Sequence, residues 1–133
     1  MLDKPPVVII DEETLAGGVT VPTSPIGSEC DIIDLTKACQ LALTLEGSCV
    51  ATADGALVAH LRTSPSGGTT DVDEWDSVDY HGFTLPCVAS QHIQMTQPIW
   101  PDPLYMKVMV ENSGTEVVND VKVSYAIQEI EAV

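Results

Sequence analysis

Helical periodicity is missing from this chain: no window of about 11 residues repeats apolar side chains at the spacing that lines one face of an α-helix. An all-α or α/β fold is excluded on that ground. Positive charge is almost as scarce, with 5 Lys and Arg against 20 Asp and Glu and a formal net charge of -15. Such a surface repels the phosphates of nucleic acids and of anionic lipids, so neither nucleic-acid nor membrane binding is expected. Long apolar runs are absent too. The run Val7, Val8, Ile9, Ile10 is far short of the roughly 7–15 residues of a signal-peptide core, and further short of the roughly 20 that cross a bilayer. No export signal and no transmembrane segment is expected. Cysteine is present but never as C-x-x-C, which removes the spacing of a zinc ribbon or a thioredoxin-type motif. Cys39 and Cys49 fall on one face of one expected strand, too far apart along it to bridge each other. A disulfide involving them or Cys30 and Cys87 would have to pair different strands, and buried thiols are the default.

What is there is alternation. From Cys39 to Cys49 the odd positions are Cys39, Leu41, Leu43, Leu45, Gly47 and Cys49, and the even ones Gln40, Ala42, Thr44, Glu46 and Ser48. Period two places one set in a core and the other in water, the pattern of a half-buried strand. The same criterion predicts strands over 31–36, 39–50, 56–63, 81–87, 92–99, 104–111 and 117–128. In the last, Val117, Asn119, Val121, Val123, Tyr125 and Ile127 are the expected core face. Asp54-Gly55 and Asn112-Ser113-Gly114 have hairpin-turn chemistry. Many short strands at this spacing indicate an all-β fold, an antiparallel β-sandwich of jelly-roll-like type with seven to eight strands. A chain of 133 residues, 44% of them hydrophobic, suffices for one such domain with a sizeable core.

Residues 1–29 differ from the rest. Pro5, Pro6, Pro22 and Pro25 with Gly17, Gly18 and Gly27 break any long element, so an extended N-terminal arm is expected ahead of a sandwich domain at 30–133. Stretched out, the arm would reach roughly 95 Å, enough to grip a neighbour. Its Val7, Val8, Ile9 and Ile10 form the candidate strand for adding to an exposed sheet edge.

Chemistry-bearing residues gather in the loop 62–79. Asp71, Asp73, Asp76 and Asp79 are candidate calcium ligands, since dense carboxylate oxygens suit a hard cation. Their spacing does not match an EF-hand loop, and a solvated acidic loop is the plainer expectation. Trp75, Tyr80 and Trp100 are candidate interface residues, because flat rings beside loops can stack on sugars or anchor a protein contact. Trp100, enclosed by Pro98, Pro101 and Pro103, is also expected to cap one end of the core. Strand parity puts His60 beside Arg62 on an outward face. No G-x-S-x-G element is present, and carboxylate pairs drawn from 20 acids carry no specificity. No catalytic residues are assigned and an enzyme is not expected.

The order of features, Arg62-Thr63-Ser64-Pro65 with Gly67, an acidic and aromatic loop, Phe83-Thr84-Leu85-Pro86, then Pro101-Asp102-Pro103-Leu104-Tyr105-Met106-Lys107-Val108 and Val121-Lys122-Val123, resembles small β-sandwich structural proteins of tailed bacteriophages. The resemblance covers about residues 31–128. It implies a capsid decoration, or cement, protein that forms a homotrimer on the outer surface of the virion. It would be made in the host cytoplasm and would bind the major capsid protein, with the arm as a clasp. A tail component of the virion is the nearby alternative. Jelly-roll sugar-binding domains share the pattern of short strands and aromatic loops, which implies a carbohydrate-binding, host-adhesion module as the other alternative.

Overall fold

A computed structural model describes residues 2–3 and 7–129. Apart from a 3-10 turn at Val72–Glu74, its regular structure is strand: β1 (Leu2–Asp3), β2 (Val7–Leu15), β3 (Thr20–Val21), β4 (Ile33–Asp34), β5 (Ala38–Cys49), β6 (Ala56–Ser64), β7 (His81–Pro86), β8 (His92–Ile99), β9 (Tyr105–Asn112) and β10 (Val118–Glu129). Two antiparallel sheets pack face to face. In the first, β10 lies between β5 and the pair β1 and β2, and β5 continues to β8. In the second, β9 lies between β6 and the pair β3 and β4, and β6 continues to β7. From β5 onward the chain visits the first sheet, the second twice, then the first, second and first again, which is the winding of a jelly roll. No helix among the described residues is long and apolar enough to cross a membrane.

The alternation noted in the sequence drives this packing. Leu41, Leu43 and Leu45 of β5 lie opposite Ile127, Tyr125 and Val123 of β10. All but Tyr125, which is partly buried and packs against them, share one buried cluster with Leu57, Ala59 and Leu61 of β6 and Val108 and Val110 of β9. At roughly 25 cal/mol per Å² of apolar surface removed from water, such side chains are the main favourable contribution to folding. Strand β9 breaks the alternation, with Met106, Lys107, Val108, Met109 and Val110 all buried. Its outer face is covered. The Lys107 ammonium donates to the Gly27 carbonyl, and burial pulls its pKa below the usual lysine value against the opposing pull of Cys30, Glu29 and Asp31.

Three sequence expectations change. The segment expected to be a clasp is folded into its own sandwich: β2 runs along β10 and β3 along β9. Ile9, Ile10, Leu15 and Val21 are core residues. The edge to which Val7, Val8, Ile9 and Ile10 add belongs to this same chain, because exposed apolar residues gain most from the nearest unpaired edge. Of the expected arm, residues 1 and 4–6 lie outside the described residues.

The two turn motifs are likewise real turns but not hairpins. Asp54 and Gly55 carry the chain from β5 in one sheet to β6 in the other, and Ser113 and Gly114 carry it from β9 to β10, again between sheets. The two arches dock on each other: the Asp54 carboxylate accepts from the Thr115 backbone N–H at 2.8 Å and its hydroxyl at 2.7 Å. Gly55, at φ +68, lies so close to Gly114 that a Cβ on it would stand 2.5 Å from the Gly114 Cα. A local turn signal specifies reversal, not the sheet that receives the next strand.

The third change is in β10. Val118 is buried, while Val117 and Asn119 are only partly so. Asp120 adopts a left-handed φ of 52°, and the register slips between Asn119 and Lys122 opposite β5. This bulge adds a residue and inverts the parity on its N-terminal side.

Candidate functional site

The acidic loop folds down on the outer face of the second sheet. Trp75, 4% exposed, is its anchor, donating its indole N–H to the Gly68 carbonyl at 2.8 Å. Ser64 Oγ donates to the Glu74 carbonyl at 2.6 Å, and the Glu74 carboxylate presses against Gly68, where any Cβ would collide with it. The candidate calcium ligands are not brought together. Asp71 accepts from the Asp73 backbone N–H at 2.9 Å, Asp76 from the Thr63 hydroxyl at 2.8 Å, and Asp79 from Arg62 Nε at 2.7 Å. Among the described residues no three His, Cys, Asp or Glu side chains assemble as metal ligands. Three of the four carboxylates instead hold the loop in place, Asp71 by bonding backbone within it and Asp76 and Asp79 by bonding side chains of β6.

Asp79 also meets His60, whose Nδ1 lies 2.7 Å from it while Nε2 lies 3.0 Å from Glu111. A neutral imidazole has one N–H and can donate to only one of two carboxylates; the protonated ring donates to both. Burial opposes the charge on His60, but Asp79 and Glu111 outweigh it and hold its pKa above the ordinary histidine value. Burial likewise works against the Asp79 carboxylate, and His60 and Arg62 outweigh it to hold that pKa below the ordinary value. The stabilisation from His60 is complete below the unfolded histidine pKa and is lost as pH rises through its folded one; that from Asp79 is lost as pH falls through its own lowered pKa. The loop is therefore expected to be held most firmly from about pH 5 to the unfolded histidine value near about 6.5. Titration of the His60 ring by NMR checks this: a midpoint above that of free histidine is expected, and His60→Gln should remove the alkaline loosening of amides 65–80.

The second feature lies on the first sheet. Its outer face carries cross-strand rows of Pro98, Ala42 and Ala126, then Thr96, Thr44 and Ser124, with Val8 beside Ser124. Thr44 and Thr96 hydroxyls share a hydrogen bond of 2.8 Å. Gln40 and Gln128 pair at the end of the same face. None of these residues is charged; further along β5, β10 and β8, titratable side chains return at Glu46, Lys122 and His92. Small side chains at Ala42 and Ala126 leave an open groove of about 820 Å³ at the uncharged end, lined also by Leu41, Ile99 and Pro101 and flanked by Trp100.

Trp100 is 74% exposed and caps no core. It stands at the rim of the groove beside Pro98, Ile99 and Pro101 with most of its ring in solvent. Tyr80, also partly exposed, donates its hydroxyl to the Trp100 carbonyl at 3.2 Å, joining the end of the acidic loop to the groove's rim. Of the interface candidates, Trp100, Tyr80, Val7 and Val8 are thus at the surface, whereas Trp75, Ile9 and Ile10 are buried. A Trp75–Tyr80 sugar platform is not formed. The groove floor was legible in principle as alanines on outward positions of neighbouring strands, and Glu111 as the second partner of His60 was not, being 51 residues away. Compared with known proteins, the chain matches no family model, no curated protein and no solved structure.

Proposed function

We propose that the chain is a non-enzymatic structural protein of a tailed-phage virion, of the capsid decoration type, which docks on the outer shell through the uncharged groove beside Trp100. The observation that supports this reading is the groove itself. In a chain of formal charge -15, the cross-strand rows of Pro98, Ala42 and Ala126 and of Thr96, Thr44 and Ser124 carry no charge, and an exposed indole stands at their rim. Interface centres are depleted in charge and anchored by aromatic side chains, because few desolvation costs then offset the apolar gain. The acidic remainder discourages contact with a packaged genome, and weak contacts repeated over a shell add up to firm attachment.

The resemblance in strand and turn pattern suggests the location on the virion, the major capsid protein as partner and the homotrimer. Clasping by the arm is no longer part of the reading, since deleting residues 1–29 would remove Ile9, Ile10, Leu15 and Val21 from the core. Docking passes to the groove. Trp100→Ala is expected to weaken binding to shells of the phage that encodes the chain by at least about tenfold, the scale of an aromatic hot spot, with unchanged thermal unfolding. Equal binding by both proteins would overturn the role of the groove.

A second reading is favoured by the Gln40 and Gln128 side chains at the groove: an indole stacks on the apolar face of a sugar ring while amides bond its hydroxyls. A glycan array then separates the two. Retention of a neutral oligosaccharide, lost in Trp100→Ala, together with indifference to shells, would replace the decoration reading with an adhesion module.

A further inference from the structure

Cys49 and Cys87 come from opposite sheets to one corner of the sandwich. Cys49 ends β5, and its backbone N–H donates to the Gln91 carbonyl at 2.9 Å. Cys87 follows β7 directly, and its N–H donates at 3.1 Å to the carbonyl of Gly55, the residue that closes the arch leading away from Cys49. Between them the Ser90 N–H donates to the Val50 carbonyl at 3.0 Å, so the residues that follow Cys87 lie along those that follow Cys49. Both are free thiols, Cys49 buried and Cys87 half-buried. The remaining thiols are engaged elsewhere, Cys30 with the Asp31 carbonyl at 3.4 Å and Cys39 with the Gln128 carbonyl at 3.2 Å.

We propose that Cys49 and Cys87 are a redox-sensitive pair that closes to an intersheet disulfide when the protein meets a disulfide oxidant such as oxidised glutathione. The more accessible Cys87, as its thiolate, attacks one sulfur of the oxidant; a mixed disulfide forms and one glutathione leaves as its thiolate. Cys49 then loses its proton and attacks the Cys87 sulfur, breaking the bond to the second glutathione. Two protein thiols give up two electrons and two protons, and one oxidised glutathione becomes two reduced ones. The bond joins β5 to the end of β7 and closes the chain between them into a ring, which restricts the unfolded chain far more than the folded one. Burial, with the neighbouring Cys49 thiol, pushes the Cys87 pKa up to about 11. Closure is therefore slow at neutral pH and quickens about tenfold per pH unit towards that value.

The test is oxidation of the folded protein with oxidised glutathione at mildly alkaline pH, read by intact mass, thiol count and peptide mapping. The expected product has lost about 2 Da, as one disulfide requires. Two of its four cysteines can still be alkylated after unfolding, and tryptic peptides 38–62 and 63–107 are linked. Because peptide 38–62 contains Cys39 as well, Cys39→Ser is expected to give the same link, and Cys87→Ser to give none. The oxidised protein should melt on the order of 10 °C higher than the reduced one. Four alkylatable thiols after oxidation, a link that uses Cys30 or Cys39, or the same mass loss in Cys87→Ser would each overturn the proposal.

Discussion

Trp75→Ala is expected to lower the unfolding free energy by about 3 kcal/mol, within the range for removing a buried large aromatic side chain, and to free the loop 65–80 before the sheets yield. Trp75 is buried but lies outside the main intersheet cluster. It packs beneath a loop whose other ties are polar: Ser64 Oγ to the Glu74 carbonyl, the Thr63 hydroxyl to Asp76, and His60 and Arg62 to Asp79. Those bonds are partly solvated and each contributes on the order of 1 kcal/mol. The indole supplies the apolar area that makes closing the loop worthwhile, and its N–H satisfies the Gly68 carbonyl. Urea unfolding and hydrogen exchange check this together. Amides of 65–80 should exchange fast in the variant while those of β5, β9 and β10 stay protected. A loss below about 1 kcal/mol, with the loop still protected, would mean that the polar ties alone hold it.

Asn112→Ala should cost a similar amount, about 3 kcal/mol, through unsatisfied polar groups rather than lost volume. Asn112 has no exposed surface. Its amide nitrogen donates to the Leu15 carbonyl at 3.1 Å and the Glu116 carbonyl at 2.8 Å, and its amide oxygen accepts from the Gly114 N–H at 3.0 Å. Its own backbone pairs with Gly18 and Val19. One side chain thus ties the end of β2, the turn before β3 and the arch before β10, and truncation strands all three groups. Asn112→Asp discriminates this account from simple packing. It keeps the shape but points a carboxylate at two carbonyl oxygens, so at neutral pH it should destabilise at least as much as Ala. An Asp variant as stable as the wild type would show that the amide donors contribute little.

How much of this was legible in the sequence follows from how local each cause is. Strands β5 to β10 lie within a residue or two of their expected bounds, because period-two alternation is written in each segment and needs no partner. The N-terminal segment misled for the converse reason. Pro5, Pro6, Gly17 and Gly18 signal interruption, but whether Ile10 and Leu15 find a core depends on the free edge of β10, more than 100 residues later in the chain. The bulge at Asp120 left no mark beyond a residue type tolerant of left-handed backbone.

The tryptophans exchanged places for a related reason. Trp75, among aspartates, looked exposed, yet Asp76 and Asp79 bond the loop to β6 and the ring is buried. Trp100, among prolines, looked like a core cap, yet it stands largely exposed at the rim of the groove. His60 and Arg62 could be placed on one outward face from strand parity; Glu111 could not be placed with them, since only the pairing of β6 with β9 brings it near. The groove escaped notice because alanines at outward positions read as neutral filler until three strands set Pro98, Ala42 and Ala126 in one row.

The most direct test of the decoration proposal is the mass of the full chain in solution, by light scattering, alone and mixed with purified shells of the phage that encodes it. A trimer that saturates the shells at a fixed ratio to the capsid subunit is the predicted result. A chain that stays monomeric and leaves the mass of the shells unchanged at every concentration would contradict it.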